Sequence, residues 1–379
     1  MGQIFYKCFV STKRAIYFFT ALQKIKMETQ AIMVLKPGQG AGIQAIPLPK
    51  LHADWVLVDT KAIALNPSDW KKIDGGGADL GSRVGCDYAG VVREVGQNVT
   101  AFKKGDRIGA FVHGADRTNH DNGAFAQVII AKAAVQFQIP DNISFEAAST
   151  MGVAVVTVGQ ALYKSLGLPL PSAPAESPFP ILIHAASTSI GMYGIQFAKA
   201  SGLQVVATSS PHNFDLLKSL GADAVFDYHS PSCAADIKKY TQNQLKYSWD
   251  CMATGAEMCA AAMTNTGKCF YSTVNPLPMK SMAALRKANR NVDIPRFTMG
   301  YDACGDAYMF MGKMVPPKPD EMEFARNFIE ISRGLLAAEV VKPIQFSVNQ
   351  TGEGLEGALK GLDELRAGKV SGKKLVYTL

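Results

Sequence analysis

Paired cysteines are missing from this chain. Its seven stand at 8, 86, 233, 251, 259, 269 and 304, an odd number with no C-x-x-C spacing. That excludes a disulfide-stapled fold and a zinc ribbon, and it suits a reducing compartment. The six histidines contain no H-E-x-x-H pair, so a helical metalloprotease site is excluded too. No apolar run approaches the roughly 18 residues of a membrane-spanning helix. Charge is scarce, at 19% of residues against about a quarter in an ordinary globular chain. The 47% apolar content over 379 residues supplies cores for two or three domains and rules out disorder. A net charge of +7 invites a nucleic-acid reading. However, residues 1–27 hold Lys7, Lys13, Arg14, Lys24 and Lys26 and no acid. The body of the chain is therefore nearly neutral and lacks the basic face that nucleic-acid binding needs.

That basic start contains one short apolar run, Ala15–Leu22 after Lys13-Arg14, with no A-x-A cleavage site behind it. An acid-free amphipathic segment has the character of a mitochondrial presequence, although it is rich in Lys where Arg is usual. Myristoylation is excluded because Tyr6 stands where Ser or Thr is required. The segment reads as a disordered extension, or as a misplaced start with Met27 as initiator. The protein is expected in the cytoplasm, with mitochondrial targeting as the alternative.

From Ala31 the pattern is β-rich. Ala31–Lys36, Trp55–Leu65, Tyr88–Val95, Ile108–Val112 and Gly123–Ile130 read as strands, with Asn66-Pro67-Ser68-Asp69 closing the second as a turn. Short strands with Gly-containing turns indicate a small barrel-like β domain. The texture then changes. Ser144–Ser165 reads helical, Leu168–Pro180 holds five prolines and is a connector, and strands alternate with helices after it: 181–184, 191–201, 203–208, 213–220, 224–226. Apolar strands alternating with helices predict a parallel, doubly wound sheet. The final strand, 373–379, is expected to return to the first domain.

Chemistry concentrates in Ile181–Ala200, where a strand runs through a loop of small residues into a helix. Such a turn aims helix-terminal amides at a pyrophosphate, and small side chains let the backbone approach. The spacing is G-x-G-x-x-G with Ser189 in the first place, then Gly191 and Gly194; a plain strand–helix turn is the alternative. The second strand bears on the nucleotide. After Val206 the chain reads Ala207-Thr208-Ser209-Ser210-Pro211-His212-Asn213, without the acid that binds a free ribose 2′-hydroxyl in NAD sites. NADPH is expected.

Several motifs then converge: A-L-N-P-S-D-W-K (64–71), G-C-D-Y-A-G-V-V (85–92), V-G-x-x-V-x-x-F-K-x-G-D-R (95–107), G-A-F-A-Q (123–127) and H-A-A-S-T-S-I-G (184–191). With them the chain resembles the zinc-free quinone-reductase and enoyl-reductase branch of the medium-chain dehydrogenase/reductase superfamily. Residues 166–170, 210–215, 225–228 and 371–376 bring it nearer to fungal trans-acting enoyl reductases that serve polyketide synthases.

The resemblance implies an α/β chain: a GroES-like β-barrel catalytic domain at 28–166 plus 341–379, and a doubly wound Rossmann cofactor domain at 167–340. It implies an NADPH-dependent reductase working on an enoyl thioester carried by a polyketide or polyketide–peptide hybrid synthase, with no nucleic-acid or membrane partner. By the same resemblance, Ser68, Asp69, Trp70 and Lys71 border the nicotinamide, with Lys71 and Ser68 as the catalytic candidates. Ser187, Thr188, Ser189 and Ile190 wrap the pyrophosphate, while Ser210, Pro211, His212, Asn213 and Tyr228 hold the 2′-phosphate and adenosine. Val274, Asn275, Val370 and Ser371 reach the nicotinamide side. Val158, Gly159, Gln160, Leu162, Tyr163, Leu166, Thr298, Met299, Gly300, Tyr301 and Asp302 line the substrate channel. Thr188-Ser189 replace the Gly-Gly usual in quinone reductases, which makes the pyrophosphate loop less open. Lys71, Ser68 and water all stay open as proton donor. A stand-alone quinone or enone reductase and a cofactor-binding protein without turnover are the rival readings.

Zinc alcohol dehydrogenases of similar layout need an early Cys ligand, a His-Glu pair and a four-Cys lobe. Here the corresponding places read Asn66-Pro67-Ser68-Asp69 and Gly85-Cys86-Asp87, so Cys86 is read as a small buried residue. Full activity is therefore expected after exhaustive dialysis against a chelator, with less than stoichiometric zinc by elemental analysis. Loss of activity that zinc restores would reassign Cys86 and Asp69 as ligands.

Overall fold

A computed structural model describes residues 28–379 apart from Pro37, Gln39 and Ile294; the extension read at 1–27 lies outside the described residues. Apolar alternation produces a first group of strands: β1 (Glu28–Lys36), β2 (Gly40–Pro47), β3 (Trp55–Ala64), β4 (Asp87–Val95), β5 (Arg107–Phe111), β6 (Val128–Lys132) and β7 (Gln136–Gln138). β3 carries a nearly unbroken apolar run and is covered on both faces. It pairs antiparallel with β4, with β6 along its first half, and with the last strand of the chain along its second.

After β3 the sequence reading expected a turn, but the structure has a helix, α1 (Pro67–Asp74). Asn66 at its N-cap, Pro67 in the first turn and Asp69 accepting from the Asn66 amide at 2.7 Å begin it. This start satisfies an amide that the helix leaves free, and proline fits there because its missing N–H costs nothing. Two further short helices, α2 (Phe145–Ser149) and α3 (Gly152–Val158), and a π-turn at Gly159–Ser165 fill the expected helical stretch.

The second half alternates: β8 (Pro180–His184), α4 (Ser189–Ala200), β9 (Gln204–Ser209), α5 (Phe214–Ser219), β10 (Ala224–Asp227), α6 (Cys233–Tyr240), β11 (Tyr247–Asp250), α7 (Ala256–Ala262), β12 (Phe270–Thr273), α8 (Met279–Ala288) and β13 (Arg296–Phe297). These strands form one parallel sheet in the order β10-β9-β8-β11-β12-β13. The order reverses between β8 and β11, and a crevice at such a switch point, outside the carboxyl ends of the strands, is where nucleotides bind. A hairpin, β14 (Tyr308–Phe310) and β15 (Lys313–Val315), precedes the long α9 (Pro319–Ala337). The chain then re-enters the first sheet through β16 (Phe346–Val348), α10 (Gly354–Arg366) and β17 (Lys374–Thr378), giving the order β16-β17-β3-β4-β5-β7. The expected return of the C-terminal strand is observed.

The Lys374 ammonium, on β17, lies buried against the carboxylate of Asp87 at the start of β4, two strands away. It also donates to Asn66 Oδ1 at 3.0 Å and to the Thr150 carbonyl at 3.3 Å. Asp87 accepts from Asn66 Nδ2 at 2.8 Å and from the Val153 amide at 2.6 Å. The Thr150 hydroxyl pairs with the Tyr193 hydroxyl on α4 at 2.7 Å. One buried pair thus fixes the N-cap of α1, the start of α3 and the last strand, and through Thr150 reaches the cofactor sheet's first helix.

Removing one partner of a buried ion pair leaves an uncompensated charge and costs about 3–5 kcal/mol. Lys374→Met is expected to lower the unfolding free energy by that amount in urea titration. Adding Asp87→Asn should recover part of the loss, because asparagine still accepts from Val153 without a charge to strand.

Candidate active site

Two walls meet along the carboxyl ends of the parallel sheet. The Thr298 amide donates to the Thr273 carbonyl, the last residue of β12. The segment 298–304 therefore leaves the sheet at that end. Opposite it stands α1.

The side that the sequence reading gave to the nucleotide is built by the turn from β8 into α4. Thr188 is the N-cap: its hydroxyl accepts from the Gly191 amide at 3.2 Å and donates to the Ala185 carbonyl at 2.9 Å. The amides of Ser189 and Ile190 lie in the first turn, where a helix leaves N–H groups without intrahelical partners. A Cβ on Gly191 would come within 2.7 Å of Ala186 Cα, and one on Gly194 within 2.5 Å of the Trp249 ring. Only glycine lets this helix sit so close on β8 and β11. Thr188 and Ser189, which looked like a narrowing of the loop, use the first hydroxyl as the cap.

At the end of β9 the buried Ser209 hydroxyl has no protein partner. Ser210 pairs with the Tyr228 hydroxyl at 3.1 Å, and Tyr228 stands edge-on to His184. His212 Nε2 lies 3.1 Å from the Ser371 hydroxyl, which also accepts from Asn213 Nδ2 at 3.2 Å. The two groups that the sequence reading put at opposite ends of the cofactor, 210–213 and 370–371, thus include one contact cluster, bridging the two halves of the chain. Val274 and Asn275 follow the carboxyl end of β12, Val274 half-buried and Asn275 exposed.

On the facing wall, Ser68 and Trp70 are half-buried, Asp69 is buried and Lys71 is exposed, its ammonium 5.7 Å from the Trp70 ring centre. Burial pushes the Asp69 carboxyl up to about 7, and its Oδ1 has no hydrogen-bond partner. A carboxyl that keeps its proton to about 7 when folded, against 3.8 ordinarily, takes stability away as pH rises across that window.

The neighbour of Lys71 was not singled out in the sequence, and it is half-buried with its ammonium turned onto protein groups. Lys72 Nζ reaches the Gly114 carbonyl at 2.8 Å, the Ala115 carbonyl at 3.4 Å and His113 Nε2 at 2.9 Å, and lies 4.0 Å from the centre of the Tyr301 ring. Burial lowers its ammonium to about 8. His113 stacks on Tyr301 at 3.8 Å between ring centres; burial and the adjacent Lys72 hold it well below the usual imidazole range, so it is neutral. The Tyr301 phenol neighbours Ser68, Cys86 and Asp69, and burial raises it well above the usual phenol range. Cys86 is buried, as read, but its thiol belongs to this polar cluster.

The helical spacing Ser68–Lys72 would have pointed to Lys72. Reading 66–69 as a turn concealed it. His113 and Cys86 arrive from distant loops and carry no local signal.

The channel residues divide. Gly300 packs over Thr157 and Val156, and Met299 and Tyr301 are half-buried beside it. Asp302 has both oxygens engaged, by the Tyr308 hydroxyl at 2.7 Å and Lys318 at 2.8 Å. Val158, Gly159, Leu162 and Leu166 are buried in the core. Tyr163 is buried against Phe328, its hydroxyl spent on the Phe197 carbonyl and Ser201. Gln160 Oε1, Thr298 Oγ1 and Trp70 Nε1 are buried without partners. Together with Ser209 and Asp69 Oδ1, these unsatisfied polar atoms are ones that a bound nucleotide and substrate can satisfy, so the residues present fit a dinucleotide. Among the described residues no group of three His, Cys, Asp or Glu is placed to hold a metal ion, and no helix is long and apolar enough to cross a membrane.

Residues 52–141 match the family model described as alcohol dehydrogenase GroES-like domain, and residues 189–308 the one described as zinc-binding dehydrogenase. The trans-enoyl reductase ACTTS2 of Alternaria alternata is 40% identical over 93% of this chain and 100% of its own length. The trans-enoyl reductase TOXD of Cochliobolus carbonum is 42% identical over 79% of this chain and 98% of its own. Among solved structures, the CurK enoyl reductase superposes with a TM-score of 0.71 at 17% identity, covering 93% of this chain and 99% of that one; at that identity the likeness speaks for the fold.

Proposed function

The chain belongs to the trans-enoyl reductases of the medium-chain dehydrogenase/reductase superfamily, which work with a pyridine nucleotide, and on that premise we propose that it reduces the C=C bond of an α,β-unsaturated thioester with NADPH. The thioester is presented by the carrier domain of a polyketide synthase or polyketide–peptide hybrid synthase. The observation that carries this reading is the wall at the sheet's carboxyl ends. Ser68, Asp69, Cys86 and Tyr301 bring hydroxyl, carboxyl and thiol groups into one contact facing a dinucleotide fold.

A bound nicotinamide nucleotide supplies the hydride that goes to Cβ. The Thr188-capped start of α4 offers amides to its pyrophosphate. Ser210, His212, Asn213 and Tyr228 offer donors to a 2′-phosphate, with Ser371 completing the cluster from the other half of the chain. Ser68, Asp69, Trp70 and Lys71, with Val274, Asn275 and Val370, border the reacting end. Hydride arrival turns the thioester into an enolate, whose charge the surrounding donors must stabilise before Cα is protonated. Preorganised hydrogen-bond donors and orientation carry most of such a barrier. Ser68 and Lys71 are the exposed or half-exposed polar groups of α1 nearest that end.

Two measurements test this. The acid-free end of β9 favours NADPH over NADH by at least ~10-fold, since a charge-assisted hydrogen bond to the 2′-phosphate is worth about 1.5–3 kcal/mol. Fluorescence titration of both nucleotides reads it, and equal affinities refute the assignment. With NADPH bound, an enoyl thioester on an isolated carrier domain is expected to be turned over faster than free small quinones. The reverse order would make this a stand-alone quinone reductase.

A further inference from the structure

We propose that Tyr301 is the proton donor to Cα, held for that task by Lys72 and His113. The proposal rests on the enoyl-reductase reading above and adds the group that completes its chemistry.

Four observations carry it. First, among the side chains of the polar cluster, Asp69 and Cys86 are shut away from solvent, at 2% and 1% exposure. Ser68 and Tyr301 are only half-buried. Second, Lys72 is unable to serve the substrate itself. Its ammonium carries three protons, and three acceptors surround it: His113 Nε2, the Gly114 carbonyl and the Ala115 carbonyl. Third, the same ammonium lies 4.0 Å from the Tyr301 ring centre. A cation there is attracted to the ring, and more strongly once the phenol becomes phenolate. Fourth, the ring is gripped rather than loose. His113 stacks on it at 3.8 Å, and Phe111 and Tyr308 flank it at 5.9 and 5.8 Å. A phenol is also a far stronger acid than the serine hydroxyl beside it. The ammonium of Lys72, 4.0 Å from the ring centre, gives the phenolate a counter-charge.

The step balances as follows. Hydride delivered to Cβ leaves an electron pair shared between Cα and the thioester oxygen. The Tyr301 O–H bond breaks, its proton forms the new Cα–H bond with that electron pair, and the thioester carbonyl is restored. The phenolate, with Lys72 against its ring, takes its proton back from solvent. Tyr301 lies on the segment that leaves the cofactor sheet, whereas Ser68 and Lys72 lie on α1. The acid is therefore assembled only when the two halves of the chain are packed together.

The test uses the full-length protein with NADPH and the N-acetylcysteamine thioester of 2-methyl-2-butenoic acid in D2O. Wild type is expected to place deuterium on one face of Cα. Tyr301→Phe keeps the ring on His113 and Lys72 and is expected to lower kcat by about 10²–10³-fold, within the range of a lost general acid. NADPH affinity by fluorescence titration should stay within twofold, and both α-epimers should appear as water captures the enolate. Lys72→Met should lower kcat at least ~10-fold with KM for the thioester unchanged. Replacing Tyr301 by 3,5-difluorotyrosine, a stronger acid that keeps the O–H and the ring, should move the alkaline limb of kcat to lower pH. Wild-type kcat and a single epimer in Tyr301→Phe, or an unmoved limb in the fluorinated protein, overturns the proposal while leaving the enoyl-reductase reading intact. A wild-type protein that oxidises NADPH with no enoyl thioester overturns that reading, and this proposal with it.

Discussion

A lysine ammonium shut away from water at the end of the first sheet is an expensive object, and much of this molecule is arranged around keeping one paired. Lys374 comes from the last strand, Asp87 from the start of β4 and Asn66 from the N-cap of α1. Each needs the other two, because a buried charge with a missing partner costs several kcal/mol. That requirement fixes where α1 begins, and α1 carries Ser68 through Lys72. The same carboxylate holds the Val153 amide at the start of α3, whose surface supports Gly300 and hence Tyr301. One interaction thus sets the separation of the two walls of the cleft.

The cleft is built to hold protons. Asp69, Cys86, Tyr301 and Ser68 form a continuous polar contact in which burial raises the carboxyl, the thiol and the phenol. Acids in low dielectric hold their protons to higher pH, so burial keeps negative charge in this cluster down. The Lys72 cation beside such proton carriers favours developing negative charge nearby. It requires no metal ligand cluster, and the sequence offers none of the spacings such a cluster needs. At the start of α4 the same economy appears: Thr188 serves as cap while leaving first-turn amides without intrahelical partners, and hydroxyl, amide and imidazole groups stand where an acid could at the end of β9.

Contacts between the halves recur at both ends of the cleft. Ser371 meets His212 and Asn213 at the nucleotide end, Lys132 meets Asp306 and the Cys304 carbonyl beside the 298–304 segment, and Tyr301 meets Ser68 at the centre. The groups read as binding and reacting are therefore shared between the domains, which suits a site closed by nucleotide and substrate together.

Much of this was legible in the residues. Apolar strands at Ile181–His184 and Leu203–Thr208 with small residues between them have one economical fold, since a strand covered by helices on both faces must be apolar throughout. The absence of an acid after Val206 is a covalent fact that no packing alters. The motifs around Asn66, Cys86 and His184 marked the family. Pro67 and Asp69 also signalled a helix start, and reading them as a turn hid the spacing that separates exposed Lys71 from half-buried Lys72. Other features had no local signature. Lys374 lies 287 residues from Asp87, His113 and Tyr301 are brought together from different domains, and the meeting of Ser371 with His212 depends on how β17 re-enters the first sheet. Periodicity and capping act over a few residues and fix elements. Burial, charge pairing and acidity depend on what surrounds a group in three dimensions, and only the packing of the two sheets against each other decided those.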